Sequence, residues 1–333
     1  MSWRISILDK SPVAVNETAA DALARTLSLA KQAEALGFHR FWIAEHHNTA
    51  QLASPSPELL IAWILGQTKH IRVGSGGVML QHYSPYKVAE NFNVLASIAP
   101  GRVDLGVGKA PGGLPLSTRA LQQGLHQDEK GSFADQLTQL DRWLTPSTDV
   151  QDDSVKATPL PSAPAEKFLL GASVESAQLA AKLGWSFVFA AHLNGDVNLL
   201  RDVLETWRTH SALNAIVAVQ AIVAPTQAQA DALAEKVEVW GVELANGQRV
   251  TVASEEQAYA FARQAESEPL RIARRAQSLI KGTPESVLNE LENLHQTWGI
   301  DEFIIDTPVA DGVARTQSLR LLAQAKFAGE VLV

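Results

Sequence analysis

Short apolar segments alternate with amphipathic helical segments along the chain, at intervals of about 30 residues, as in repeated βα units. Successive parallel strands need a crossover between them, and a helix is its usual form. This alternation limits the possible folds more strongly than any single motif does. The predicted strands lie at 5–8, 40–44, 71–80, 102–107, 167–171, 186–190, 215–223 and 302–306.

Eight such units predict an α/β fold, specifically a closed (β/α)8 TIM barrel with insertions. An open, doubly wound sheet is the alternative. Its phosphate-binding fingerprint is missing, because Gly106-Val107-Gly108 is followed by Pro111 where that motif requires glycine. The barrel is therefore the favoured fold.

The alternation predicts a single domain over 1–333 with two excursions. Residues 145–165 are rich in Pro, Ser, Thr and Asp, which is typical of a surface insertion. Residues 240–275 are broken at Asn246-Gly247 and are predicted to form two short helices, as an insertion that is a candidate lid. The segments expected to line a substrate pocket are 80–86, 190–195 and 240–268.

Composition excludes several classes of protein. The chain has no cysteine, so it has no disulfide framework, cysteine zinc site or thiol nucleophile. A net charge of −8 argues against nucleic acid as a partner. No apolar run approaches the roughly 18 residues of a membrane span. The first ten residues alternate like a strand rather than a signal peptide, so we expect a cytoplasmic protein.

The second predicted strand ends in Glu45-His46-His47. In a barrel, chemistry is found where strands end and the following loops begin. Neighbouring residues of an extended chain point to opposite faces, so we predict no metal site from this histidine pair. One histidine over the barrel mouth would serve as general base or hydrogen-bond donor. The alternative is two loop histidines bonded to backbone groups.

Glycine-rich strand ends suggest a bound ligand. The third strand contains Gly74, Gly76 and Gly77, which would let a flat molecule approach the backbone, although tight packing at a barrel corner also requires glycine. Lys109 lies among glycines after the fourth strand, a candidate phosphate cradle or a flexible turn with a solvated lysine. Ser173 begins a helix whose N-terminus suits both capping and anion binding.

An ordered set of segments resembles the bacterial luciferase-like family of flavin-dependent (β/α)8 monooxygenases. The similarity extends over nearly the whole chain and is greatest to a subgroup of luciferase-like oxidoreductases with AEHHN and GGVML segments. The matching segments are 6–9, 41–48, 71–77, 100–108, 175–177 and 282–285.

This resemblance implies reduced FMN as cofactor, supplied by a separate flavin reductase. It implies O2 activation at the flavin C4a position, and insertion of one oxygen atom into a small organic substrate. Two alternatives remain: hydride transfer with the deazaflavin F420, and flavin binding without turnover. Relatives are commonly homodimers that pack through early helices, and the candidate residues for this face are Leu59, Leu60, Trp63 and Ile64.

The resemblance also assigns catalytic residues. His46 matches the family's catalytic histidine and would transfer a proton, and Glu45 and His47 would orient it. Gly76 and Gly77 lie where the family has a non-prolyl cis peptide beneath the isoalloxazine ring.

Further matches concern the cofactor's edge and its phosphate. Gly108 lies where luciferase has a thiol side chain beside the flavin. Lys109 replaces the arginine that commonly binds the phosphate, which leaves a point charge instead of a bidentate fork. Glu175 and Ser176 lie where the phosphate meets a helix N-terminus, and repulsion predicts that the Glu175 side chain turns away.

Overall fold

The computed structural model describes residues 3–125, 127–145, 155–191, 196–276 and 278–327. It confirms the closed barrel: eight parallel strands form a ring, because the strand Ile216–Val223 pairs with Ser186–Ala190 on one side and with Glu302–Asp306 on the other. The doubly wound alternative is thereby excluded. The barrel strands are β1 (Arg4–Asp9), β2 (Arg40–Ile43), β3 (Arg72–Met79), β4 (Val103–Gly108), β5 (Glu166–Gly171), β6 (Ser186–Ala190), β7 (Ile216–Val223) and β12 (Glu302–Asp306).

Helices surround the ring and pack on its outer apolar face. Thr18 and Asp21 form a reciprocal capping box at the start of the helix Ala19–Ala35, and Pro284 occupies the first turn of the helix Pro284–Trp298 after the Thr283 cap. None of the helices in the described ranges is long and apolar enough to cross a membrane. The helices are α1 (Ala19–Ala35), α2 (Pro57–Leu65), α3 (Pro85–Ile98), α4 (Pro115–Leu121), α5 (Gln127–Lys130), α6 (Phe133–Leu144), α7 (Val174–Leu183), α8 (Val197–His210), α9 (Gln227–Ala234), α10 (Glu255–Gln264), α11 (Pro284–Trp298) and α12 (Gly312–Phe327), with a 3-10 turn at Leu80–His82.

The barrel interior is built in layers because alternate residues of each strand point inward. The middle layer is apolar. Because side chains alternate along a strand, a residue two positions before or after a member of this layer also faces the interior. Its members are Leu8, Trp42, Ala44, Phe168, Val188, Ile216, Ala218 and Ile304.

The layer at the amino ends of the strands is ionic. Arg40 donates to Asp104 Oδ2 at 2.8 Å and to Glu302 Oε1 at 2.7 Å. Arg72 donates to Asp104 Oδ1 at 2.6 Å and Trp42 Nε1 to Asp104 Oδ2 at 2.8 Å. Every one of these charges therefore has an opposite partner, which burial requires.

The excursion at 240–275 differs from its prediction. Two short helices were expected, whereas the structure has an antiparallel sheet of β8 (Trp240–Leu244), β9 (Arg249–Val252) and β10 (Pro269–Arg274) in the order β10-β8-β9, with α10. Val242 and Leu244 alternate inward on β8 and are buried. Gly247, at φ +84°, closes the hairpin between β8 and β9.

Two segments extend the barrel. β11 (Leu279–Gly282) pairs with the carboxyl end of β7 outside the closed ring. The described part of the other excursion lies against α3, where Asn93 Nδ2 donates to the Ala157 carbonyl at 2.6 Å. Residues 146–154 of that predicted insertion lie outside the described residues, as do 192–195 of the expected pocket lining.

Candidate active site at the barrel mouth

His46 follows β2 at the carboxyl end of the barrel. The Ala44 side chain belongs to the interior layer, so alternation directs His46 inward, over the barrel mouth. Glu45 and His47 point the other way and are only 1% and 9% exposed. Of the three residues predicted to be catalytic, His46 therefore faces the mouth, whereas Glu45 and His47 are buried in the barrel wall, facing away from it.

Glu45 joins three segments of that wall. Its Oε1 accepts hydrogen bonds from His47 Nε2 and from the Tyr83 hydroxyl, each at 2.7 Å. Its Oε2 accepts from the Met79 backbone N–H at 3.1 Å. Burial raises the pKa of Tyr83 and the Glu45 charge raises it further, so the hydroxyl keeps its proton and donates. This arrangement supports a positioning role for Glu45 and His47.

His82 lies beside this group, with its ring centroid 6.0 Å from that of His47. The Pro111 carbonyl can only accept, so the proton lies on His82 Nε2, 2.8 Å away, and Nδ1 accepts from Gln122 at 3.1 Å. Burial lowers the pKa of His82, which agrees with a neutral ring. Sequence analysis placed His82 and Tyr83 in a pocket-lining segment but missed these contacts.

The Gly76-Gly77 peptide bond is cis, where the family resemblance expects one. A Cβ at Gly76 would lie 2.6 Å from Leu8 Cδ1, and a Cβ at Gly77 would lie 2.8 Å from the Gly106 carbonyl oxygen. These close contacts inside the barrel are enough to explain why both positions are glycine. Gly108 is different, because the nearest atoms to its Cβ would belong to Met79 at an ordinary 3.6 Å. A Cβ would thus be tolerated at the end of β4, so packing alone does not require glycine there.

Lys109 follows β4, and Glu175 and Ser176 lie in the first turn of α7 after β5, the strand that pairs with β4. Ser173 caps α7 by accepting from the Ser176 N–H at 3.2 Å. The Glu175 pKa is lowered by its own backbone N–H and the Ser173 hydroxyl, with a contribution from the Lys109 charge. That the Glu175 side chain turns away from a bound phosphate stays a prediction. A cation, two hydroxyls and helix N–H groups suit a phosphate.

A second polar group lies on the opposite side of the mouth. Lys10 Nζ is 2.6 Å from Asp306 Oδ2, and Gln220 Nε2 donates to the same oxygen at 2.9 Å. Asp306 is buried, whereas the Lys10 side chain is 24% exposed. Sequence analysis missed these residues, although each follows an interior apolar residue by two positions and could have been found from that spacing.

Ser54 connects the loop after β2 to the loop after β1. Its backbone carbonyl accepts from the His46 N–H at 3.1 Å, and its hydroxyl donates to the Lys10 carbonyl at 3.0 Å. The loops after β1 and β2 are further joined by the Ala53 N–H, which donates to the Ser11 carbonyl at 2.9 Å. His46 and the backbone of Lys10 are consequently held by one buried residue.

A closed parallel barrel with a histidine, a cation and a helix N-terminus around one mouth defines the TIM-barrel class with a site at the carboxyl ends of its strands. Within this class, the chain belongs to the luciferase-like monooxygenase family, whose model matches residues 1–302. It is 42% identical to N-acetyl-S-alkylcysteine monooxygenase of Bacillus subtilis, over 98% of this chain and 99% of the relative. The crystal structure of apo-MsnO8 is 31% identical, with a TM-score of 0.77 and 97% of each chain covered.

More distant structures share the fold alone. One is a type II Baeyer-Villiger monooxygenase in complex with FMN, 18% identical, with a TM-score of 0.68 and 97% of each chain covered. Another is an F420-dependent secondary alcohol dehydrogenase, 17% identical, with a TM-score of 0.65 and coverage of 98% of this chain and 99% of that chain. The barrel itself therefore does not choose between the two cofactors.

Proposed function

We propose that this protein is a monooxygenase that uses reduced FMN and O2. The balanced reaction is FMNH2 plus O2 plus substrate, yielding FMN, water and the oxygenated substrate. The observation that carries this proposal is the junction of the loops that hold His46 and Lys109: the His47 N–H after β2 donates to the Gly112 carbonyl after β4 at 2.7 Å.

The residues present fit the cofactor. Lys109, the Ser176 hydroxyl and the first N–H groups of α7 would hold its phosphate, and Gly108 would leave room for its ring system. Bound reduced FMN supplies the two electrons that the reduction of O2 requires. His46 would exchange a proton with the reacting groups through its imidazole, and Glu45 with His47 would hold its loop in place.

The substrate class follows from the 42% identical relative. We propose an S-alkylated N-acylcysteine or a close analogue, which carries a thioether, an amide and a carboxylate. We also propose that a separate NAD(P)H-dependent reductase supplies the reduced flavin.

We propose further that the protein is a homodimer. α2 and α3 pack against each other and expose an apolar face formed by Leu59, Trp63, Val94 and Ile98. Ile64, also a candidate from the sequence, is fully buried in the protein's own core. A Leu59→Glu/Trp63→Glu variant should sediment as a monomer, with Leu213→Glu, at another exposed leucine, as the control.

The decisive experiment supplies ¹⁸O2 to the protein with a flavin reductase, NADH, FMN and N-acetyl-S-methylcysteine. We expect one ¹⁸O atom in the product. His46→Ala should lower kcat by about 10²- to 10⁴-fold, the range for loss of a general acid or base, whereas His210→Ala on the exposed end of α8 should retain it. Tight F420 binding without FMNH2 binding would refute the proposal.

A further inference from the structure

We infer that Lys10, Gln220 and Asp306 form the subsite that binds the polar end of the substrate: Lys10 its carboxylate and Gln220 its amide N–H. This inference rests on the proposed function, because it takes an N-acyl amino acid as the substrate class. We call these three residues the polar subsite.

The placement of the polar subsite follows from strand alternation. Leu8, Ala218 and Ile304 belong to the interior layer. Lys10, Gln220 and Asp306 each follow one of them by two positions, so all three side chains face the interior one level nearer the carboxyl ends. They come from β7, β12 and the end of β1, which are consecutive in the ring.

This side of the ring faces the proposed flavin side. The candidate cofactor residues lie in β3, at the end of β4 and in the segments after β4 and β5, whereas the polar subsite belongs to β7, β12 and β1. β2 lies between these two groups and carries His46 at its end. A substrate held by the polar subsite would therefore extend across the mouth toward the cofactor, with His46 at the side.

The polar subsite has hydrogen-bonding capacity left for a ligand. An ammonium group has three N–H donors, and within the described residues Lys10 Nζ has one acceptor, Asp306. Its side chain is 24% exposed, so the remaining donors are accessible to a ligand. Gln220 donates its amide nitrogen to Asp306, and in the described ranges its Oε1 accepts no hydrogen bond, which leaves an acceptor for an N–H group.

Buried Asp306 explains why this lysine suits binding. It holds both Nζ of Lys10 and Nε2 of Gln220 on one oxygen, at 2.6 and 2.9 Å. A lysine fixed in this way loses less side-chain freedom when it takes a second anion than a mobile surface lysine would. The pair also carries no net charge, so selectivity should depend on hydrogen-bond geometry more than on long-range attraction.

The test is calorimetric titration of the full chain, under anaerobic conditions with FMNH2, using N-acetyl-S-methylcysteine and its primary amide. The wild-type protein should bind the acid about 10- to 100-fold more tightly than the amide, as expected for loss of a hydrogen bond to a charged group. Lys10→Met should remove this preference by weakening binding of the acid alone. Lys10→Arg should retain part of it.

Two controls guard against general damage. Lys10→Met/Asp306→Asn removes both charges, so no buried carboxylate is left unpaired, and it should also lose the preference. Lys281 lies on β11, outside the ring, and is paired with Asp231. The Lys281→Met variant should bind both compounds like the wild type.

Any one of three results would overturn the inference. The wild type could bind the acid and the amide equally, Lys10→Met could weaken binding of both equally, or the wild type could fail to bind the acid. The proposed function is tested separately, because oxidation of FMNH2 by O2 with ¹⁸O transfer to any substrate can succeed while the acid preference fails.

Discussion

The Tyr83 hydroxyl donates to Glu45 Oε1 at 2.7 Å and so ties the segment before α3 to the loop after β2. The same loop is bonded through the His46 N–H to Ser54 and through the His47 N–H to Gly112, at 3.1 and 2.7 Å. His46 therefore occupies a loop that is held on three sides, which suits a residue that must meet a substrate in one orientation.

Tyr83→Phe should destabilise the protein by about 1–3 kcal/mol, because a buried carboxylate loses a donor. Since the loop then holds His46 less firmly, we expect kcat to fall and its pH profile to shift. Chemical denaturation and steady-state kinetics would measure both. Tyr86→Phe removes a hydrogen bond to the Lys156 carbonyl and serves as the control. A Tyr83→Phe enzyme with an unchanged pH profile would contradict the positioning role.

Charge changes at the N-terminus of α7 should alter FMN affinity in opposite directions. Lys109→Met should weaken binding about tenfold, as expected for one lost charge-assisted hydrogen bond. Glu175→Gln should tighten it several-fold, because it removes a negative charge from the helix N-terminus proposed to hold the phosphate. Fluorescence titration of FMN would measure both, with Lys182→Met at the other end of α7 as the control. Tighter binding by Lys109→Met would place the phosphate elsewhere.

His39 should make stability depend on pH. Burial and the Arg40 charge lower its pKa from 6.5 to about 4, and its Nε2 faces Arg40 Nη2 at 3.0 Å. The unfolded chain takes up a proton near pH 6.5, whereas the folded chain resists until about pH 4. The stability present above pH 6.5 is therefore lost as the pH falls toward 4.

After allowance for solvent screening, this loss should be about 1–2 kcal/mol. Urea denaturation at pH 7 and pH 4 would measure it. His39→Gln keeps a neutral acceptor and should lose less stability over the same interval, whereas His210→Ala should behave like the wild type. Equal losses in the wild type and His39→Gln would assign the effect to other groups.

Asp104→Asn should destabilise the barrel by about 3–5 kcal/mol, because it leaves the guanidinium groups of Arg40 and Arg72 short of negative charge in the interior. The free energy of unfolding from urea titration would show this. Asp202→Asn breaks an exposed pair with Arg201 and should change stability by less than about 1 kcal/mol. Similar values for the two variants would mean that water reaches the ionic layer.

The barrel was predictable from the sequence because each βα unit is a local pattern of apolar residues. The strand predicted at 186–190 and the helix predicted at 174–183 have the same bounds in the structure. The excursion at 240–275 was predicted wrongly, although Asn246-Gly247 is a strong local signal for a hairpin. These two residues form a turn between strands rather than a break between two short helices.

The contacts around the site were less predictable, because they join residues far apart in the chain. Glu45 and His47 were selected from one motif, but Tyr83 enters through a contact across 38 positions. Lys10 and Asp306 are separated by 296 positions, and only closure of the ring brings β12 beside β1. Alternation indicates which side chains face the interior, whereas the partner of each depends on register.

Ser54 has a consequence for how this enzyme can change. It bonds at once to the Lys10 carbonyl and the His46 N–H, so a shift in either loop is transmitted to the other. A change at the proposed substrate-binding Lys10 would thus also affect the loop of His46, the proposed catalytic histidine. Exchanging the loop after β1 with that of a relative should succeed only when the loop after β2 is transplanted with it, as one inherited unit.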